Sequence, residues 1–337
     1  MPSSRVESLP HHFRPLFVPP QPWVRYKPRG PYLRSPRVAR LFNAYIVVDW
    51  SAASKPNTGA DSVWIGVLKR DVRFRLAFEA FNPPTRNEAE KKLGAVLDDL
   101  KKRGERALVG FDFPLGFPRG FAAALKLPGE APWRAAWDQL DKMVKDKADN
   151  TNNRFGVASE INRRLTGGPF PFWGCPPKDT LTTLQPKKTR DHGPGDLPEL
   201  RHAEAATKGV SPIWKLYYNG SVGGQAILGI PVVRRLKLAR GEAMKIWPFE
   251  TGLKALDETD LAEVEVVAAE VYPSMTKAAP AAGEVKDLAQ VRATAEHFAR
   301  LDEQGKLGAL FGASKTAPAD LVVDAVGEEG WILGTPA

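Results

Sequence analysis

Two short apolar runs, each stopping at an aspartate, constrain this chain more than any other feature. Tyr45-Ile46-Val47-Val48 leads into Asp49-Trp50-Ser51, and Ala107-Leu108-Val109-Gly110-Phe111 leads into Asp112. A β-branched apolar run closed by turn residues is a buried strand. Residues 62–68 and 73–81 read as two more strands, joined by the polar Lys69-Arg70-Asp71. A helix follows. Thr85 caps it, Glu88 completes a capping box, and Ala89, Leu93, Val96, Leu97 and Leu100 form its apolar face until Gly104 ends it. The order β-β-β-α-β is an antiparallel meander followed by a helical crossover to a buried strand. It predicts an α/β chain with a mixed sheet flanked by helices.

Composition enters through its distribution. Residues 1–42 hold eight Lys and Arg against Glu7 alone, so seven of the nine net positive charges sit there, with nine of the 30 prolines. A basic, proline-rich stretch without helical or alternating period buries too little apolar surface to offset its ordering entropy, and it is expected to be a disordered arm. The remaining chain is nearly neutral. No apolar run approaches the roughly 18–20 residues that cross a bilayer, and no apolar h-region follows the first charges. Neither a membrane span nor a secretory signal is expected. Cys175, the single cysteine, makes no internal disulfide and no cysteine-based zinc site. A cytoplasmic location is the expectation.

Beyond the second aspartate, residues 119–240 are rich in Trp, Pro and Gly, with helical pattern near 132–147 and 223–240. They read as a loop-rich insertion, so the expected core is residues 43–118 together with 241–337. Residues 264–272 suit a strand, and Leu288, Val291, Ala295, Phe298 and Leu301 recur at helical spacing. A last helix starts near Pro318 and carries Asp320 and Asp324, which share a face as i and i+4.

The chemistry lies in acids at the ends of apolar strands: Asp49, Asp112 and Glu270, joined by Asp324 and Asp320. Sites in open α/β sheets gather at the carboxyl ends of strands. Carboxylates converging there repel unless a cation neutralises them, and hard oxygen ligands favour Mg²⁺ or Mn²⁺ over zinc. Paired ions of this kind cleave phosphodiesters. A strand-end aspartate also commonly accepts hydrogen bonds from the turn that follows it.

Four segments occur in order: Val48-Asp49-Trp50-Ser51-Ala52, Gly110-Phe111-Asp112-Phe113-Pro114-Leu115-Gly116-Phe117-Pro118, Glu270-Val271-Tyr272-Pro273, and Asp320-Leu321-Val322-Val323-Asp324-Ala325. Together they resemble the predicted ribonuclease-H-like nucleases of the domain-of-unknown-function 429 family, from about Tyr45 to the C-terminus. The resemblance implies a ribonuclease-H-like layer with a large insertion after the fourth strand. It also implies a metal-dependent nuclease in which Asp49, Asp112, Glu270 and Asp324 are catalytic and hold Mg²⁺ or Mn²⁺, with Asp320 as their helical companion.

Other readings stand beside this one. Ser51, Ser54, Lys55, Thr58 and Gly59 form a turn able to cradle phosphate, as in actin-like nucleotide-binding phosphotransferases and ATPases, and the Asp112–Gly116 segment is a poor version of a second phosphate loop. Asn219-Gly220-Ser221-Val222-Gly223-Gly224 opens a helix and could bind an anion. A non-catalytic scaffold is the third possibility. Nucleic acid is the expected partner of a nuclease: Lys187, Lys188, Arg190, Arg234, Arg235, Lys237 and Arg292 could meet phosphates, and Trp173 and Trp214 could stack bases. A solvated basic face explains the same charges.

Overall fold

The computed structural model describes residues 40–337 except 72 and 74. Most of the expected basic arm lies outside the described residues. Its last two residues belong to the core, because Leu41 and Phe42 are buried and donate their backbone N–H groups to the two carboxylate oxygens of Asp302 at 2.9 Å each.

The fold is α/β. Six strands form one mixed sheet in the order β3-β2-β1-β4-β6-β5. They are β1 (Ala44–Asp49), β2 (Trp64–Arg70), β3 (Leu76–Phe81), β4 (Ala107–Phe111), β5 (Met244–Ile246) and β6 (Val266–Glu270). The first three pair antiparallel, whereas β4 is parallel to β1 and β6, and β5 is parallel to β6. The meander and crossover anticipated from the sequence are therefore present.

Eight helices complete the described chain: α1 (Arg86–Lys102), α2 (Phe121–Ala124), α3 (Pro132–Met143), α4 (Arg154–Thr166), α5 (His202–Ala206), α6 (Gly223–Arg240), α7 (Lys286–Glu303) and α8 (Ala319–Asp324). Thr85 caps α1 as expected, its Oγ1 accepting the Glu88 N–H at 3.3 Å. A five-residue π turn, Ala325–Glu329, continues α8.

Side-chain alternation along the strands divides the core into two layers. Ile46, Val48, Val67, Val109, Phe111 and Ala268 face α1, α3, α4 and α6. Tyr45, Val47, Leu108, Val267, Ala269 and Val271 face α7 and the C-terminal segment. Residues 119–240, read as an insertion, thus supply most of the helical cover of one sheet face. Helix α6 is buried around most of its circumference, as a helix apolar on all sides must be. On the other face α7 crosses β1 and β2. Gly66 permits that approach: a Cβ there would lie 2.3 Å from Cγ1 of Val291.

Asp302, near the end of α7, fastens the start of β1. Besides the two backbone donors it accepts the Tyr45 hydroxyl at 2.7 Å, and burial followed by this hydrogen bond raises the Tyr45 pKa far above its ordinary value. Asp302→Ala would leave the Leu41 and Phe42 amides without a partner and the Tyr45 hydroxyl with only the Phe42 carbonyl at 3.2 Å. It is expected to cost roughly 3–5 kcal/mol, read as a lower midpoint at unchanged m in urea unfolding.

Candidate active site

The parallel pairing of β1 with β4 aligns Val48 with Phe111, so the next residue on each strand, Asp49 and Asp112, leaves the sheet side by side. Both take the α7 side of the sheet by alternation. The ladder continues one step, with the Asp112 N–H donating to the Val48 carbonyl at 3.1 Å. The Trp50 N–H then donates to Asp112 Oδ1 at 2.7 Å, a bond from the turn after β1 across to the end of β4.

The two carboxyl groups are close enough for each to shift the titration of the other. Burial, followed by the charge of Asp112, pushes Asp49 well above the usual carboxylate range. Burial also pushes Asp112 up to about 6, against the opposing effects of Asp49 and the Trp50 amide. The pair therefore releases its protons at higher pH than two solvated aspartates would. Asp287, in the first turn of α7, repels charge on both members of the pair, and Asp61 does so on Asp49. The Asp61 N–H orients Asp287 by donating to its Oδ2 at 2.9 Å.

Asp287 is the residue that sequence reading missed. It stands four residues before Val291 and so heads the buried stripe of Val291, Ala295 and Phe298. An acid one turn ahead of a helix's apolar stripe is the signal that was available.

Glu270 and Asp324 do not join the pair. Glu270 is in register with Phe111 and shares its side of the sheet, whereas Asp112, one residue further on, takes the opposite side. The Glu270 carboxylate is engaged by both terminal nitrogens of Arg201 at 2.7 and 2.8 Å, and Arg201 Nε reaches Glu204 at 2.9 Å. The Leu115 N–H adds a bond to Glu270 at 3.3 Å. Asp324 meets His202 Nε2 at 2.9 Å and Arg119 Nε at 3.5 Å. Asp320 is exposed in the first turn of α8. The expected gathering of five acids thus becomes Asp49 and Asp112, with Asp287 and Asp61 nearby. Among the described residues no group of three or more His, Cys, Asp or Glu is arranged to hold a metal ion.

The Asp112–Gly116 loop is a packing element. A Cβ on Gly116 would lie 2.2 Å from the Glu328 carbonyl and 2.5 Å from that of Glu329. The Glu328 carboxylate accepts the Gly120 and Ala122 N–H groups, and Glu329 accepts those of Arg119 and His202. The basic residues anticipated as phosphate contacts are mostly paired with acids. Arg234 binds Asp138 and Asp141, Arg235 binds Glu90, Arg190 binds Asp196, Lys188 binds Asp191 and Glu199, Lys237 binds Glu250, and Arg292 binds Glu284. Trp214 is fully buried, its Nε1 donating to the Pro198 carbonyl at 2.9 Å, and stacks no base.

No protein-family model, curated sequence or solved structure matches this chain. No helix among the described residues is long and apolar enough to cross a membrane.

The proton on the acid pair makes a measurable pH dependence. Folding raises both pKa values above the ordinary 3.8, so the native state holds a proton the unfolded chain has released. This contribution to stability is complete below about pH 4; the share of Asp112 is lost as pH rises through about 6, and that of Asp49 as pH passes its own raised pKa. In chelator, Tm is expected to fall between pH 5 and pH 8, a change on the order of 1–3 kcal/mol. Asp49→Asn, which cannot ionise, is expected to raise Tm at pH 8 and flatten that slope. A residual slope remains from Glu204 and Glu328, which burial also raises.

Proposed function

We propose that this chain is a divalent-cation-dependent phosphodiesterase acting on nucleic acid, built on a ribonuclease-H-like sheet. The observation that carries this reading is the Asp49–Asp112 pair at the exits of two adjacent parallel strands, where register sets two carboxyl groups side by side and burial raises the pKa of each. The antiparallel β1–β3 meander followed by parallel β4, β6 and β5 is the strand arrangement expected of such a sheet.

The donor set fits Mg²⁺ or Mn²⁺. It consists of carboxylate oxygens, and Mg²⁺ usually takes only one or two protein carboxylates, keeping waters and substrate oxygens for its other positions. Asp49 and Asp112 would hold the cation. When bound it would supply Lewis-acid activation of the phosphodiester and of the attacking water. The chain's own groups prepare that site. The Trp50 amide fixes Asp112 Oδ1, and the Asp61 amide holds Asp287 at the head of α7, next to the pair. In this reading Asp287 would orient water or a second cation. Glu270 is assigned a structural role, because its oxygens are bound by Arg201 and the Leu115 amide.

The test uses the full chain with Mg²⁺ or Mn²⁺ on labelled single- and double-stranded DNA, RNA and RNA–DNA hybrid. Cleavage is expected to require the cation and to fall by more than about 100-fold in Asp49→Asn and Asp112→Asn, exceeding the loss typical of residues behind the ligands. Asp287→Asn should lose about 10–100-fold, and Asp320→Asn should stay near wild type. Absence of cation-dependent cleavage on every substrate, together with a Tm that Mn²⁺ does not change, would overturn the reading.

A further inference from the structure

A polyanion approaching a cluster of acids needs positive potential close by. The chain places an unusual source of it directly after Asp49. Residues 50–54 run beneath the first turn of α6, where Gln225 Nε2 donates to the Trp50 carbonyl and a Cβ on Gly224 would lie 3.2 Å from Ala52 Cβ. The same Cβ would lie 3.4 Å from Cδ of Arg154, whose side chain passes between that turn and the loop.

Arg154 is only 6% exposed. Its Nη1 donates to two neutral oxygens, Ser54 Oγ and Asn152 Oδ1, both at 2.9 Å. Its Nε has no hydrogen-bond partner, and no carboxylate pairs with the guanidinium, among the described residues. Arg86 makes the contrast. It is 1% exposed, braces the same loop through the Ser51 and Ala53 carbonyls, and is neutralised by Asp146 through two bonds of 2.6 Å. Burial, with the like charge of Arg86, lowers the Arg154 pKa to about 10, so the group stays charged at neutral pH. Asp179 and Asp146 oppose that shift only through space and the guanidinium lies 4.2 Å over the Phe155 ring, so no anion bonds this buried cation directly, and one that did would be stabilising.

The adjoining helix end has the same deficit. Helix α6 has 18 residues, and its N-cap, Val222, offers no side-chain acceptor. The Gly223 N–H is taken by the Lys215 carbonyl, while those of Gly224 and Gln225 have no acceptor among the described residues. Ser54, which the guanidinium reaches, is exposed and opens this place to solvent.

We propose that Arg154, Ser54 Oγ and the first-turn amides of α6 form a phosphate-binding subsite against the loop after β1, which holds a backbone phosphate of the substrate. The guanidinium supplies forked, charge-assisted donors, and the helix end supplies oriented N–H groups. The identity of the phosphate's carrier rests on the phosphodiesterase reading. The binding of phosphate itself does not.

The experiment titrates inorganic phosphate into the full chain without divalent cation, at ionic strength held constant with chloride, and follows Tm. Wild type and Asp49→Asn are expected to show the same saturable rise. Arg154→Gln should weaken phosphate at least about tenfold, as loss of a charge-assisted bond does. Ser54→Asp sets an internal carboxylate against Arg154 Nη1. It should raise Tm in the absence of phosphate and abolish the response, and it decides the matter if Arg154→Gln does not fold. The general stabilisation that phosphate gives any protein persists in both variants and is thereby separated. A wild type without saturable response, or a response retained in Ser54→Asp, overturns the subsite. A single-stranded oligonucleotide that binds wild type and Ser54→Asp equally overturns the assignment to substrate. An Arg154-dependent phosphate response in a chain that cleaves nothing upholds the subsite while the reaction fails.

Discussion

Two carboxyl groups set side by side at a half-buried strand edge repel each other when both are charged, and the remainder of the site follows from that repulsion. Asp49 and Asp112 meet because β1 and β4 are parallel, adjacent and in register up to Val48 and Phe111. The pair then keeps a proton well above the pH at which a solvated aspartate loses it. Helix α7 increases the tension by bringing Asp287 to the same place, and Asp61 adds a fourth acid. Such an arrangement is unfavourable by itself in the deprotonated chain.

The acids around Arg201 and the loop after β4 behave differently because they are neutralised internally. Glu270 and Glu204 share Arg201, Glu329 accepts two backbone amides while its carbonyl receives Arg201, and Glu328 accepts two more amides. This network ties β6, α5, the loop after β4 and the π turn after α8 into one block. Removing a single member would leave a buried charge uncompensated, which is far costlier than losing one contact. Its role is to hold the loops around the strand ends. Neither the Asp49–Asp112 pair nor Arg154, behind the loop after β1, has an ion-pair partner of this kind.

Much of this architecture is legible in the residues. The run of three strands, a capped helix and a buried strand follows from apolar alternation, Thr85 and Gly104, and the structure reproduces it. The two aspartates that end β1 and β4 could be singled out because each follows a run of apolar residues. Glu270 illustrates the limit. It also ends a buried strand, yet its position relative to Phe111 is one residue short of the position Asp112 occupies, and in a strand one residue is a change of side. Asp324 failed for a different reason. Spacing on α8 establishes which residues share a helix face, not which neighbours that face meets, and the neighbours are His202 and Arg119.

What the order of amino acids determined by itself is local: where strands and helices form, where they stop, and which acids stand at their ends. Such features depend on φ/ψ preference, capping and the period of apolar residues, all of which act within a few positions. Which charges become partners was decided only by the tertiary structure. Strand register and the path of α7 set that pairing, bringing Asp287 to Asp49 across more than 200 residues while turning Glu270 toward Arg201. Coulombic repulsion and desolvation act through space, and only the folded chain sets those distances.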